Sequence, residues 1–352
     1  MSNAKKIIIK IIVIILALII IIPVGFLGYL RIMMYTPEQT EQVEYSSGNR
    51  TISKGSSLSV LTFNIGYSGY NKDEDFFMDG GEGVLPDSYD DVMTNLSGIA
   101  SAIKEADADV IFVQECDVDS KRSYHINEAA YLGSSLGLPR TFAKNYDVVY
   151  VPYPIPTMGK VLSGLCTFTD LNVTDAQRIA LPEAVSKLMS LAYMKRCLLL
   201  ERIPIENSEK ELVIINLHLE AYTDEEKRDM QSKLLNSVLS EEYDKGNYVI
   251  AGGDFNQSFA GVNNPPILSE TGWLPGEISE EEIPEGFSLV AADNAPTCRS
   301  LEKSFTDNET SQVYIIDGFI VSDNVEVKSI EVLDKGFEYS DHNPVRMEVR
   351  LR

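Results

Sequence analysis

Between Ile11 and Leu30 lie 20 residues without a single charge. A run this long has to be hidden from water. As a helix it is ~30 Å long, which matches the hydrocarbon core of a bilayer. A cleaved signal peptide has a shorter apolar centre followed by an A-x-A-like site, so the run reads as an uncleaved transmembrane anchor. Lys5, Lys6 and Lys10 precede it. Their charge places residues 1–10 in the cytoplasm and the rest of the chain outside the membrane. Pro23 and Gly25 are tolerable in such a helix. Residues 31–57 follow as a linker, polar from Thr36 to Ser57 with Ser, Gly, Glu and Gln. Residues 58–352 are left as one large globular domain.

That domain is strongly acidic. The whole chain carries −23, and residues 1–35 hold four cations and no acids, so the remainder carries −27. Such a surface repels nucleic-acid phosphates unless a local basic groove overcomes it. Hydrophobic residues make up 44% of the chain, enough for a packed core. Cys116, Cys166, Cys197 and Cys298 show no CxxC spacing, and neither a disulfide nor a zinc site is expected from them.

Strands and helices alternate irregularly along the domain. Strands are expected at Leu58–Ile65, Asp109–Glu115, Tyr146–Val151, Val161–Thr169, Arg196–Ile203, Leu212–Leu219, around Val249–Ala251, Gln312–Val321, Val325–Leu333 and Val345–Leu351. Ser88 with Asp91 opens a helix whose apolar stripe is Val92, Leu96, Ile99 and Ile103. A second helix is expected over Pro182–Met194. A third opens at Thr223 and runs to about Leu239. Residues Ser258 to Arg299 carry five prolines and are irregular. Several connections are too short for a crossover helix, so the sheets should be mixed.

The chemistry is concentrated where apolar strands end. Tyr248-Val-Ile-Ala-Gly-Gly-Asp254-Phe-Asn256 runs a buried strand into two glycines and then into a carboxylate and a carboxamide. Asn64, Glu115, His218 and Asp317 lie at or near other strand ends, and Asp341 and His342 precede the last strand. Each has an ordinary explanation as a turn residue or a satisfied core polar group. Together they have one chemical use. Carboxylates and Asn oxygens make a hard-oxygen site for Mg²⁺ or Mn²⁺, and two histidines and an Asn beside it suit phosphate oxygens.

The ordered set Leu-Thr-Phe-Asn64, Gln114-Glu115, Asn216-Leu-His218, Gly253-Asp254-Phe-Asn256, Asp317-Gly-Phe and Ser340-Asp341-His342 resembles the endonuclease/exonuclease/phosphatase superfamily, the deoxyribonuclease-I-like fold. The resemblance covers essentially all of residues 58–352. It implies an α/β four-layer sandwich, with two mixed β-sheets face to face and helices outside. It also implies a divalent cation, Mg²⁺ or Mn²⁺, and hydrolysis of a phosphoester by an activated water. By that resemblance Glu115 is the main metal ligand with Asn64 and Asp341 near it. Asp254 positions or deprotonates the attacking water, Asn256 holds that water or a phosphate oxygen, and His342, oriented by Asp317, contacts the scissile phosphate and could exchange the proton. His218 meets a second phosphate oxygen. Either Asp254 or His342 could be the base. Some relatives carry an acid two residues after the first Asn, where this chain has Gly66, which leaves a second metal ligand open.

Substrate is less marked. Lys121 and Arg122, shortly after Glu115, could bring cations to a phosphate or belong to a solvated loop. The loop from Gly66 to Pro86, with Tyr67, Tyr70, Phe76, Phe77 and Met78, could wall a substrate site, touch lipid or simply fold over. With the anchor and the acidic surface, a lipid or small phosphoester is expected over nucleic acid. A nuclease of the same fold and a non-catalytic surface module are the contrasting readings. Six site motifs kept in order argue against the second.

Overall fold

The structure, a computed structural model, describes residues 2–222, 225–268 and 273–352. Helix α1 (Asn3–Met33) opens the chain. Short strands β1 (Thr40–Gln42) and β2 (Ile52–Ser53) follow, then β3 (Ser57–Asn64), α2 (Tyr89–Ala106), β4 (Val110–Asp117), α3 (Glu128–Leu136), β5 (Arg140–Val151), β6 (Gly159–Thr169) and β7 (Asp175–Ala180). Next come β8 (Cys197–Glu206), β9 (Glu211–His218), α4 (Glu225–Asp244), β10 (Tyr248–Asp254), β11 (Gln257–Phe259), β12 (Gly276–Ile278) and β13 (Phe287–Val290). β14 (Cys298–Arg299), β15 (Val313–Tyr314), β16 (Asp317–Ser322), β17 (Val325–Val332) and β18 (Val345–Leu351) complete it.

Two large sheets carry the domain. The first has the order β17-β18-β3-β4-β6-β5, and the second β1-β7-β8-β9-β10-β16-β13 with β2 beside β8. In each, one central pair is parallel and is joined by a helix: β3 and β4 through α2, β9 and β10 through α4. A parallel pair requires such a crossover. The alternation of side chains then sets the layers. Val60, Phe112, Val345 and Met347 of the first sheet pack against Ile214, Ile250 and Phe319 of the second, which makes the central core. The opposite faces bury Leu61, Phe63 and Val113 under α2 and α3, and Val213, Ile215 and Val249 under α4. The result is the expected four-layer α/β sandwich with mixed sheets inside and helices outside. All four cysteines are free and buried.

Helix α2 starts as its sequence dictates, with Ser88 Oγ accepting from Asp91 N at 3.1 Å. Helix α4 is described from Glu225, and Thr223 lies outside the described residues. Helix α1 overruns the uncharged stretch at both ends and is long and apolar enough to cross a membrane, with mean hydropathy 3.4 in its best window. Other expectations fail for local reasons. Residues 36–57 are not a free linker, because β1 pairs with β7, β2 pairs with β8 and Tyr45 bridges Thr141. The expected helix over Pro182–Met194 shrinks to one 3₁₀ turn, Met189–Ala192. There the buried Lys195 Nζ donates to Ser190 O, which a continuing helix would use for its own ladder, and to Glu183 Oε1. Strand β7 and helix α3 were not foreseen.

Beneath the carboxyl ends of the central strands, the core between the sheets turns polar. Gln114 Nε2 donates to Asn216 Oδ1 across the sheets at 2.8 Å and to Thr62 Oγ1 at 3.1 Å. Asn216 Nδ2 donates to the carbonyls of Val113 and Cys166, each at 3.2 Å. All of these side chains are buried. Removing one partner leaves the others desolvated and unpaired. Asn216→Ala should therefore lower unfolding free energy by about 1–3 kcal/mol. Urea denaturation of the full chain in detergent measures this, and an unchanged midpoint would show that the layer carries no such load.

Candidate active site

One edge of the sandwich receives every polar strand end. β3 and β4 run to it and finish at Asn64 and just past Glu115. β9 and β10 run to it and finish at His218 and Asp254, which are register partners. β16 is antiparallel to β10 and starts there with Asp317 opposite Asp254. β18 is antiparallel to β3, so Asp341 and His342 arrive just before it. The first sheet supplies Asn64, Glu115, Asp341 and His342, and the second supplies His218, Asp254 and Asp317. The site is the seam between them.

Local backbone shapes aim these side chains. The β4–β6 pairing slips between Val113 and Cys116, and Glu115 in that bulge has φ 54°. A left-handed non-glycine residue costs about 1–3 kcal/mol and persists only when its surroundings hold it. Here it turns the carboxylate toward the seam, where Asn64 Nδ2 reaches Glu115 Oε1 at 3.3 Å. Gly253 is required by close approach, since a Cβ there would stand 1.9 Å from the Leu217 carbonyl oxygen.

The side chains interlock. Asn64 Nδ2 also donates to Asp254 Oδ2 at 3.0 Å. His218 Nε2 lies 3.4 Å and His342 Nε2 3.8 Å from the same oxygen. Asp254 Oδ1 accepts from the Asn256 backbone N–H at 2.8 Å, and Asn256 Nδ2 is tied to the Leu219 carbonyl at 2.9 Å. His342 Nδ1 and Asp317 Oδ2 are 2.8 Å apart. The backbone N–H groups of Ile316 and Asp317 are held by Thr297 Oγ1. Ser340 Oγ braces the loop before β18 by donating to Asn64 O at 2.9 Å.

Burial sets the charge states. Desolvation, then the Asp317 charge, pushes the Asp254 carboxyl up to about 7. Desolvation and the nearby Glu115 charge push Asp341 up to about 6. For His342 burial opposes the imidazolium, but Asp317 overrides it and the net shift is well upward. His218 moves well downward through burial, with Arg196 and His342 adding to it, so its neutral imidazole is favoured.

A cavity of about 450 Å³ opens above this floor. Its walls are apolar and aromatic, including Tyr67, Phe76, Phe77 and Met78 from the loop after β3, with Tyr146, Met158 and Trp273. That loop is therefore a wall of the site. Asn64 sits beside Glu115 at the seam, as its motif suggested. Its Oδ1 accepts from the Gly66 N–H at 3.0 Å, and its amide donates to both carboxylates, so it positions Asp254 and Glu115. Lys121 does not reach the cavity, because it points outward and donates to the Thr157 carbonyl. Arg122 does line it, but its guanidinium is bidentate on Asp117 and lies 3.7 Å over the Tyr67 ring. Gly66 explains its own departure: a side chain there would meet Asp341 Oδ1 at 2.6 Å. Three groups have no role assigned from the sequence. Gln114 and Asn216 support the floor, and the buried Arg196 lies beside it, bonded to Glu220 Oε2 and to the His218 carbonyl. A polar residue on the core face of an apolar strand was the available signal for the first two.

The sequence profile of the Endonuclease/Exonuclease/phosphatase family matches residues 61–342, most of the chain and the whole of this site. The chain belongs to that family. Solved structures agree on the fold. An endonuclease/exonuclease/phosphatase from Beutenbergia cavernae superposes with TM-score 0.59 at 15% identity, covering 84% of this chain and 72% of its own. One from Bacteroides vulgatus gives 0.55 at 17%, covering 84% and 100%. A functionally unknown conserved protein from Enterococcus faecalis gives 0.53 at 15%, with 84% and 100% covered. A sequence comparison with curated proteins finds no significant match.

Family members generally bind a divalent cation, and the donors here fit one. Glu115 and Asp341 are hard carboxylates facing the same cavity, and the Glu115 charge raises the cost of ionising Asp341. Asp254, Asp317 and His342 form a second possible grouping, with ligand atoms within 4.8 Å of one another. Without a cation the raised Asp254 has a stability consequence. Its folded-state proton affinity exceeds the unfolded one, so metal-free folded protein binds more protons between pH 3.8 and about 7, and stability falls as pH rises through that window. Asp254→Asn should flatten this slope and make the EDTA-treated chain more stable than wild type at pH 8. Melting curves across pH measure it, and identical slopes would show that Asp254 is not the group responsible.

Proposed function

We propose that the protein is a Mg²⁺- or Mn²⁺-dependent phosphoester hydrolase, anchored by α1 with its domain outside the cytoplasm. Its substrate is a lipid or small phosphoester. The observation that supports this most is the seam itself, where carboxylates, two histidines and two carboxamides converge on the floor of an otherwise apolar cavity. The family relationship supports phosphoester chemistry, and the lysines before α1 support the orientation.

Glu115 and Asp341 would hold the cation, which supplies charge stabilisation for the phosphoryl oxygens when bound. The Asp317–His342 pair is kept for a different task, because its hydrogen bond is already formed. Asp254 Oδ2, approached by Asn64, His218 and His342, is placed to accept the proton of a water. Asn256 Nδ2 is anchored to the Leu219 carbonyl, and Asn256 fixes Asp254 through its backbone N–H. The water oxygen forms a new bond to phosphorus as the ester P–O bond breaks, and the leaving alkoxide takes a proton. His342, held protonated by Asp317, offers Nε2–H to a phosphoryl oxygen or to that leaving group. Neutral His218 can donate to a second oxygen.

A nuclease reading needs exposed cations that track a polyanion. The cations at this cavity are Arg122, Arg196 and Arg299, and all three are buried and engaged. Arg122 holds Asp117, Arg196 holds Glu220, and Arg299 donates to the carbonyls of Asn71, Glu74, Ser300 and Lys303. With −27 on the rest of the surface, they favour a compact phosphoester.

With bis(p-nitrophenyl) phosphate and Mg²⁺ or Mn²⁺, Asp254→Asn and His342→Ala should each lower kcat by roughly 10²-fold or more. The double variant should lose less than the product, because both act on one step. Full turnover in excess EDTA, or in either variant, would remove this mechanism.

A further inference from the structure

The cavity mouth has an apolar rim that the described residues leave uncovered. Tyr153 and Ile155, at the tip of the β5–β6 hairpin, are 70% and 88% exposed. Leu188 and Met189, on the neighbouring turn, are 63% and 56% exposed. Tyr153 and Met189 also line the cavity, so the rim and the site are continuous. β5 packs on that turn, with Tyr146 Oη donating to Ala192 O at 3.1 Å. Four large apolar side chains on two adjoining tips form the kind of patch that meets a membrane or a partner.

Helix α1 decides between those occupants. Its last turns pack on both tips. Phe26 meets Tyr150 edge-on with ring centroids 6.0 Å apart, Leu30 is buried, and Ser190 Oγ lies 3.9 Å from Met34 Sδ. Phe26 sits four residues inside the uncharged run that ends at Leu30. At ~1.5 Å per residue, that is about 6 Å inside the apolar stretch. When α1 spans a bilayer, Tyr150 is therefore held at or below the level where the helix leaves the hydrocarbon. Residues 153–155 follow within a few residues, in reach of the same interfacial layer. Lys187 on the turn, Lys121 with its Nζ on the Thr157 carbonyl and Arg31 in the last turn of α1 flank the rim, so contact would combine apolar insertion of the four exposed side chains with attraction to anionic headgroups.

We propose that the rim docks into the bilayer that holds α1, so that the cavity opens onto the membrane surface and draws its phosphoester from a lipid of that leaflet. The lipid's apolar part would lie along Tyr153, Met158 and Met189, and its phosphate would reach the floor. This rests on α1 spanning the membrane and on the phosphoesterase reading above.

The test uses the full chain reconstituted in vesicles of phosphatidylcholine and phosphatidylglycerol. Ile155→Cys is labelled with an environment-sensitive NBD dye, since the four native cysteines are buried. The label should shift to the blue and be quenched by spin-labelled lipid, unlike a label at Ser208→Cys on an exposed loop. The shift should persist at 1 M NaCl. A label at 155 as wet as the one at 208 would overturn docking. Shielding in lipid-free micelles that grows with protein concentration would assign the rim to a second copy and also overturn it. In the same vesicles, Ile155→Asp with Leu188→Glu should cut lipid hydrolysis at least tenfold and leave bis(p-nitrophenyl) phosphate turnover unchanged. Wild type that cleaves the soluble ester but neither lipid would overturn the lipid assignment alone. Wild type that cleaves nothing would remove the phosphoesterase reading, and the label would still decide docking.

Discussion

The 2.8 Å hydrogen bond from Gln114 to Asn216 locks the two sheets together directly under the site. Everything above it depends on that register. Along the inner faces, side chains grade from apolar to polar toward one edge: Val60, Thr62, Asn64 on β3, and Ile214, Asn216, His218 on β9. Each strand thus carries its own share of core, support and chemistry. A slip of one residue would turn every one of these side chains to the opposite face. The buried amides make that slip costly, because their partners sit on the other sheet. The second cross-sheet contact, Asn64 to Asp254 at 3.0 Å, then fixes the Asp254 carboxylate against a residue 190 positions away in the chain.

Much of this was legible in the chain. Apolar strands that end in Asn, Glu, His or Asp announced a site, and the order of the motifs announced the fold. The strand ends at Asn64, His218, Asp254 and Asp317 and the two residues before β18 meet where the sequence suggested. What stayed hidden depended on contacts between distant segments. Residues 36–57 are polar, as a stalk would be, yet backbone pairing with β7 and β8 uses their N–H and C=O groups, which composition does not reveal. Lys121 and Arg122 are adjacent, but one faces solvent and the other is clamped by Asp117 and Tyr67. Asn64 stands where its motif suggested, and only the structure shows that its oxygen accepts from the Gly66 N–H while its amide reaches both Glu115 and Asp254. The segment after Pro182 has helical composition, and a buried lysine from outside it takes the carbonyl that a helix would need.

The electrostatics of the floor follow from one conflict. Three buried carboxylates (Asp254, Asp317 and Asp341) meet the partly exposed Glu115 at one seam. Asp317 is paired with His342 at 2.8 Å, while Asp254 and Asp341 are pushed upward. A divalent cation held by Glu115 and Asp341, as proposed, would relieve that repulsion in the way an added cation relieves any buried cluster of anions. The apolar walls sharpen this, since fewer waters compete for the charges. The same walls are the reason the proposed substrate carries its phosphate on an apolar group.

The central claim is that Glu115, displaced from its strand by the β4 bulge, holds a divalent cation for the reaction. Isothermal calorimetry of Mn²⁺ and Mg²⁺ binding to the full chain and to Glu115→Gln tests it most directly. The substitution removes one charge and keeps the shape. The account predicts saturable binding to wild type, weakened at least about tenfold in the variant, with an unchanged metal-free melting curve. Equal affinity in the two proteins would contradict it and move the cation to the Asp254, Asp317 and His342 grouping.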